Sequence, residues 1–268
     1  MKSILQIIFR NQVYLTKGKG ISILDKLKLK AQARYKSTEI KFFGTPFYIS
    51  DASSFVSMYE EIFIKKIYEF KSISSQPLII DCGSNIGVSI LYFKRLYPNA
   101  EIIGFEPDPT IFKLLKSNIE NQELDKVDLR QQAVWKNSEP LIFQSQGGLS
   151  GHISQEGEFN NVTKIDAFRL KDLLESKAAI DFLKIDIEGA EYEVLKDCKD
   201  VLRSVKNIFV EYHSLEKENQ KLDEVLKILS DSGFRYHIQE AFTSSQPYMH
   251  VNTMCEMDLQ LNIFGFRN

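Results

Sequence analysis

The chain predicts an α/β fold: a mostly parallel sheet covered by helices on both faces, with an N-terminal extension of helices and a hairpin. Three observations predict it. From Leu78 onward, short apolar runs alternate with amphipathic helical stretches, the pattern of strand–helix–strand units. The first run, LIIDCGSNIG over 78–87, passes from a buried strand through a glycine turn into the helix SILYFKRLY. The last two strands, RYHIQEAF and DLQLNIFGF, follow the final long helix with no helical crossover between them, so they should pair antiparallel.

At 268 residues, 43% hydrophobic and 26% charged, the composition is that of a globular protein with one sizeable core. The net charge of −2 gives no global attraction for nucleic acid. Cys82, Cys198 and Cys255 are odd in number and lack metal-ligand spacing, which suits a reducing, cytoplasmic compartment. No run is long enough to span a membrane. The start, MKSILQIIFRNQ, resembles a signal peptide but is short, interrupted by Gln6 and without a small-residue cleavage site.

Taken in order, residues 1–72 form the extension and 73–268 the main domain. Residues 1–37 carry nine Lys and Arg against Asp25, with apolar residues at near-helical spacing. They read as two short amphipathic helices packed on the domain. A subunit contact, peripheral contact with a membrane surface, or a lid for an acidic substrate are the alternatives. EIKFFGTPFYIS alternates around Gly44, Thr45 and Pro46 as a hairpin, and Ser53–Ser54 caps a helix from Phe55 to about Phe70. The domain then runs as strand 78–81, helix to Tyr97, strand 101–106, helix 109–121 and strand 127–135. Strands at 141–143 and 162–165 flank the loop SQGGLSGHIS, which reads equally as a lid whose His152 contacts substrate and as a plain surface loop. A helix near 168–175, strand 179–186, helix 190–202, strand 207–213 and helix 216–232 follow, with Gly233 as the residue that ends the last helix.

Four groups of residues carry chemistry. Asp81, Gly83, Asn85 and Gly87 make a DxGxNxG turn, in which glycines open the backbone to a ligand at a helix N-terminus. The acid disfavours a phosphate and suits an ammonium or sulfonium. Glu106 ends the next strand, one strand–helix–strand unit later, where a carboxylate accepts hydrogen bonds from both ribose hydroxyls; Pro107 turns the chain beside an adenine. Asp186, Glu188, Gly189 and Glu191 crowd the end of DFLKIDIEGAEYEVL, and Glu191 reads equally as an acid that favours a helix N-terminus. Glu211 and His213, two apart in VEYHS, share one strand face.

These pieces together resemble the FkbM family of S-adenosylmethionine-dependent methyltransferases. The resemblance lies in LIIDCGSNIG, GFEPDP, VTKIDAFRLKDLL, IDFLKIDIEGAEYEVL, IFVEYH and NIFGF, over about residues 73–266, and KIDIEGAE is its specific part. It implies a class I, Rossmann-like methyltransferase fold with seven strands, the last antiparallel, and O-methylation of hydroxyls on sugars, polyketides or similar metabolites. It also implies S-adenosylmethionine contacts from Asp81, Gly83, Ser84, Asn85, Gly87, Glu106 and Pro107, with Ala133 and Val134 flanking the adenine and Asp186 nearby. The chain departs from many relatives at DCKDVL, where an Arg-Gly pair is common.

Methyl transfer to a hydroxyl needs the oxygen in line with the S–CH3 bond and a base for its proton, typically worth about 10²–10⁴-fold. His213 is the candidate with a suitable ordinary pKa, and Asp186 or Glu188 the alternatives if burial raises theirs. No metal is favoured; magnesium held by Asp186, Glu188, Glu211 and His213 is the alternative use of the same residues. The expected acceptor is a small molecule, a glycan or a carrier-bound chain, with no nucleic acid and an open oligomeric state. Two competing readings are a nucleotide-cofactor oxidoreductase, disfavoured by DxGxNxG, and a non-catalytic binding protein of the same fold, disfavoured by the intact acids.

Overall fold

The structure, a computed structural model, describes residues 20–145, 151–153 and 162–267. It divides into two compact units that part between Gln131 and Gln132. The first of the two expected lead helices lies outside the described residues. The second is α1, Ile23–Lys30, capped by the Ser22 hydroxyl, which accepts the Asp25 N–H at 3.0 Å.

In the first unit, β1 (Thr38–Phe42) and β2 (Thr45–Ile49) pair antiparallel. Their turn is centred on Phe43 and Gly44, at φ +53° and +90°. Two left-handed central residues match the twist of paired strands, so Thr45 and Pro46 fall inside β2 and not at the middle of the hairpin. The next helix, α2, spans Ala52–Tyr59 and is capped by Asp51, which precedes the expected Ser53–Ser54 cap. Asp51 accepts both the N–H and the hydroxyl of Ser54, at 2.9 and 2.6 Å, so Ser54 is a donor into the cap. The helix does not continue to Phe70. It widens into a π-helical turn over Glu60–Ile64 and ends before Lys66, which sits at φ +58°. The Phe42 ring meets Phe47, Phe55 and Phe63 edge-on at 5.2–5.4 Å, a geometry that aromatic quadrupoles favour.

The same unit then runs β3 (Leu78–Cys82), α3 (Val88–Leu96), β4 (Glu101–Phe105), α4 (Pro109–Asn121) and β5 (Val127–Arg130). The three strands pair parallel. Asn118, fully buried on α4, ties the hairpin to this frame. Its side chain accepts the Tyr48 N–H at 2.6 Å and donates to the Tyr48 and Ile86 carbonyls at 2.8 and 2.9 Å.

The second unit opens on a correction. The expected strand 127–135 is two strands, and the second, β6 (Ala133–Trp135), pairs parallel with β10 (Ala167–Arg169) in a ladder of its own. The Ala133 N–H donates to the Asp166 carbonyl at 2.9 Å, committing β6 to that partner. β7 (Leu141–Ser145), β8 (Gly151–Ile153) and β9 (Val162–Ile165) form a three-stranded antiparallel sheet. The expected loop therefore holds a strand, which includes His152, and its residues 146–150 lie outside the described residues. Next come α5 (Leu170–Glu175), β11 (Ile180–Ile185), α6 (Glu191–Cys198), β12 (Val205–Leu215), α7 (Leu222–Asp231), β13 (Arg235–Phe242) and β14 (Met257–Phe266). The helix expected from 190 to 202 ends at Cys198, and a 3₁₀ turn follows at Leu202–Ser204. The helix expected from 216 starts at Leu222, because the Glu216 N–H is committed to the Glu256 carbonyl at 2.9 Å. Gly233, at φ +84°, ends α7 as expected.

The order of strands in the main sheet is β13-β14-β12-β11-β3-β4-β5. β11 and β12 are parallel, and β14 runs antiparallel to both β12 and β13. The last strand is thus inserted between its two predecessors. Reaching that slot from β13 needs only a hairpin connection, which is why no helix separates them.

Candidate active site

The first unit presents an open turn and a buried acid. Gly83, Asn85 and Gly87 all have positive φ, at +87°, +47° and +90°. The DxGxNxG spacing is therefore a rule of alternate left-handed residues, with Asn the side chain that tolerates that conformation best after glycine. At Gly87 a second constraint acts: an added Cβ would lie 2.8 Å from Leu115 Cδ1. The Gly83 and Ser84 N–H groups both donate to the Phe105 carbonyl, at 3.0 and 2.8 Å, locking the turn to the end of β4. Glu106 follows immediately, with little of its surface exposed. Its two oxygens accept the Asn85 and Asp108 N–H groups at 3.0 and 2.9 Å. Asp81 is the fourth residue of a five-residue strand and fully buried, and its carboxylate accepts the Ser89 hydroxyl at 2.6 Å. It joins the strand to the first turn of α3 and does not end the strand as the sequence suggested. Pro107 lies between Glu106 and Asp108, and Asp108 caps α4 through the Thr110 and Ile111 N–H groups.

The second unit gathers a histidine and four acids at the ends of β11 and β12. His213 lies inside β12, which continues to Leu215, so it does not end its strand. Its Nδ1 is 2.9 Å from Glu191 Oε1. That oxygen already takes the Ile187 and Gly189 N–H groups, each at 3.1 Å, so it is an acceptor for the imidazole too. The proton is thereby placed on Nδ1, and Nε2 faces the opposite way, 3.7 Å from Glu188 and 3.9 Å from Glu211. Glu188 and Gly189 adopt φ +56° and +100°, the bend that carries the chain from β11 into α6. Asp186 accepts an ion pair from Lys184 at 3.1 Å; the ammonium is buried within the strand.

Exposure sorts this cluster into two tiers. The His213 and Glu191 side chains are 2% and 1% exposed, whereas Asp186, Glu188 and Glu211 are 24%, 22% and 19% exposed. A sealed dyad stands behind three carboxylates that solvent reaches. Burial alone would disfavour the imidazolium, but the Glu191 carboxylate, helped by Glu188 and Glu211, outweighs it and holds His213 well above its ordinary pKa. Burial likewise pushes the Glu188 carboxyl up to about 7, with Asp186 and Glu191 adding to the rise against the pull of His213. His213 therefore does not keep the ordinary pKa that singled it out in the sequence, and Glu188, the alternative named there, is raised toward neutrality by burial.

The sequence-predicted residues therefore fall into three groups. Gly83, Ser84, Asn85, Gly87 and Glu106 come together in the first unit. Asp186, Glu188, Glu211 and His213 come together in the second. Ala133 and Val134 are buried in the short β6–β10 ladder. Two partners went unread in the sequence. Lys184 is two residues before Asp186, which directly follows β11, a spacing that continues the alternation of the strand and signals a shared face. Ser89 gives no such signal, since only the fold of the turn brings it to Asp81.

The model of the methyltransferase FkbM domain matches residues 81–236, from the acid of the glycine turn to the start of β13. The chain belongs to the FkbM methyltransferase family. Among its relatives are methyltransferase sdnD of Sordaria araneosa, 29% identical over 66% of this chain and 81% of that protein, and methyltransferase 1 of Beauveria bassiana, 30% identical over 53% and 67%. The 2-O-methyltransferase NoeI of Sinorhizobium fredii is 28% identical over 52% of this chain and 65% of that one. As an FkbM methyltransferase the protein carries out S-adenosylmethionine-dependent methyl transfer, and its seven-stranded sheet with an antiparallel insertion is the class I methyltransferase arrangement. Among the described residues, no helix is long and apolar enough to cross a membrane.

The residues present fit that donor. Two backbone N–H groups, those of Asn85 and Asp108, hold the Glu106 carboxylate in place just past the end of β4, where an acid suits the paired hydroxyls of a ribose. The glycine turn beside it, left-handed at Gly83 and Gly87, leads the backbone into the start of α3.

Proposed function

We propose that this FkbM methyltransferase transfers the methyl group to a hydroxyl oxygen of a sugar, glycan or secondary metabolite. One observation carries the reading: three solvent-reached carboxylates stand before a sealed His213–Glu191 dyad. Such a surface can take a proton from an alcohol and repels a phosphate-rich acceptor. The 2-O-methyltransferase among its relatives supports transfer to oxygen.

S-adenosylmethionine, when bound, supplies a methyl group made electrophilic by its sulfonium. Glu106 holds the ribose of that donor, and the Gly83–Gly87 turn lets it lie close to the backbone. Asp81 acts behind the turn by fixing α3 through Ser89. Glu188 is the base that takes the hydroxyl proton, because it is exposed enough to meet an acceptor while the imidazole is not. His213, fixed by Glu191, sets the charge around it. The exposed Cys255 thiol suits a reducing compartment, which we take to be the cytoplasm.

The test pairs two variants. Glu106→Ala should weaken S-adenosylhomocysteine binding about 10-fold or more by calorimetry. Glu188→Gln should leave that binding intact and lower kcat about 10²-fold, in keeping with loss of a placed base. With labelled donor and a panel of hydroxylated acceptors, NMR of the product should locate the new methyl on oxygen. A methyl found on nitrogen or carbon would defeat the proposal.

A further inference from the structure

We propose that Asp186, Glu211 and His213 form a seat for one divalent cation of the manganese or magnesium type, bound through one oxygen of each acid and the imidazole Nε2. The proposal rests on the reading of this cluster as the end of the domain that meets the acceptor, and adds to it an ion that would bind and acidify the acceptor hydroxyl.

One ligand atom from each of the three residues lies within 4.8 Å of the others. In an octahedral shell with bonds of about 2.1 Å, adjacent donors stand about 3 Å apart and only opposite ones about 4.2 Å, so binding asks the carboxylates to close on the imidazole by about 1–2 Å, a movement open to their partly exposed side chains. The backbone already fixes the three at one level. Glu211 and His213 alternate on β12, so they project to one face, and Ile185 of β11 pairs with Val210, which places Asp186 beside Glu211.

His213 gives the second, independent observation. Its ring is buried, and Nδ1 is spent on Glu191. Nε2 is aimed among the carboxylates but stands 3.7 and 3.9 Å from Glu188 and Glu211, beyond hydrogen-bond reach. A proton on Nε2 would find no acceptor at bonding distance there; a cation between the three groups would bond to each. A carboxylate that holds the far nitrogen of an imidazole is also the usual support of a histidine ligand, fixing its tautomer and orientation. Charge favours the same occupant. Asp186, Glu188, Glu191 and Glu211 bring four carboxyl groups around one imidazole, and a divalent ion offsets part of their charge. Two carboxylates and one imidazole, open on the solvent side, suit manganese or magnesium with water completing the shell.

The experiment is a titration of the chelator-stripped full-length protein with Mn²⁺, read by the paramagnetic resonance signal of the free ion. One Mn²⁺ per chain is expected. Glu211→Gln and Asp186→Asn should each weaken binding about tenfold or more at unchanged Tm, while Asp172→Asn, away from the cluster, leaves it unaltered. Wild-type protein that binds no Mn²⁺ at millimolar concentration, or site variants that bind as tightly as wild type, would overturn the seat. Chelator-treated enzyme that still methylates a hydroxyl at full rate also overturns it, yet leaves transfer to oxygen standing. Mn²⁺ held by these residues in an enzyme whose product carries the methyl on nitrogen supports the seat and overturns transfer to oxygen.

Discussion

Replacing Glu191 should separate its two jobs, holding the chain and charging the imidazole. Glu191 Oε1 accepts three hydrogen bonds, from the Ile187 and Gly189 N–H groups at 3.1 Å and from His213 Nδ1 at 2.9 Å. Glu191→Ala deletes all three in a place where the side chain is 1% exposed. The two turn amides are half-buried and partly recover water, costing about 1 kcal/mol each, while the sealed imidazole loses its partner outright at about 1–3 kcal/mol. The sum is about 3–5 kcal/mol, a large fraction of a domain's stability. Glu191→Gln keeps an amide oxygen where Oε1 stands and so retains the three acceptor contacts; only the charge is lost, at about 1–2 kcal/mol. The measurement is urea denaturation followed by Trp135 fluorescence, the sole tryptophan, with far-ultraviolet dichroism alongside. The midpoint should fall steeply for the alanine variant and slightly for the glutamine one. Turnover of Glu191→Gln should drop about 10–100-fold, as for a group that orients another, with unchanged affinity for S-adenosylhomocysteine. An alanine variant within about 0.5 kcal/mol of wild type, the scatter of surface substitutions, would show that the dyad does not hold this turn.

Three further outcomes follow from the fold. Asp51→Ala should destabilise the protein by about 2–3 kcal/mol, because it removes the cap of α2 together with acceptors for the Tyr35 N–H and Arg34. Burial opposes the Asp51 charge, but Ser54, Tyr35 and Arg34 outweigh it and lower its pKa in the folded chain. Its contribution is therefore complete above about pH 4, the unfolded value, and is lost as pH falls through the lowered folded one; denaturation midpoints of wild type and Asp51→Asn should converge on acidification. Gly87→Ala should cost about 1–3 kcal/mol and weaken donor binding, since φ +90° is strained for alanine and its Cβ would press on Leu115; thermal unfolding and calorimetry check both. Asn118→Leu should lower the urea midpoint by the equivalent of about 2–4 kcal/mol, since it strands the Tyr48 amide and two carbonyls at a fully buried position.

By itself the sequence determined the order of strands and helices, the glycine turn, Glu106 and the antiparallel ending. These are local: a strand's period, a left-handed residue and the absence of a crossover helix are each written within a few neighbouring residues. It also placed Asp186, Glu188, Glu211 and His213 together, because Asp186 and Glu188 directly follow β11 and Glu211 and His213 lie in the second half of its neighbour β12. Tertiary structure alone decided what those groups do. Strand 127–135 broke in two because Ala133 found Asp166, a partner more than thirty residues away. The cap moved to Asp51 because Arg34 and the Tyr35 N–H arrive there from before the hairpin. His213 is a fixed imidazole because Glu191, an ordinary helix-initial acid in the sequence, closes on Nδ1 across 22 residues. Proton affinity depends on burial and on charges within a few ångströms, and those distances exist only once the chain has folded.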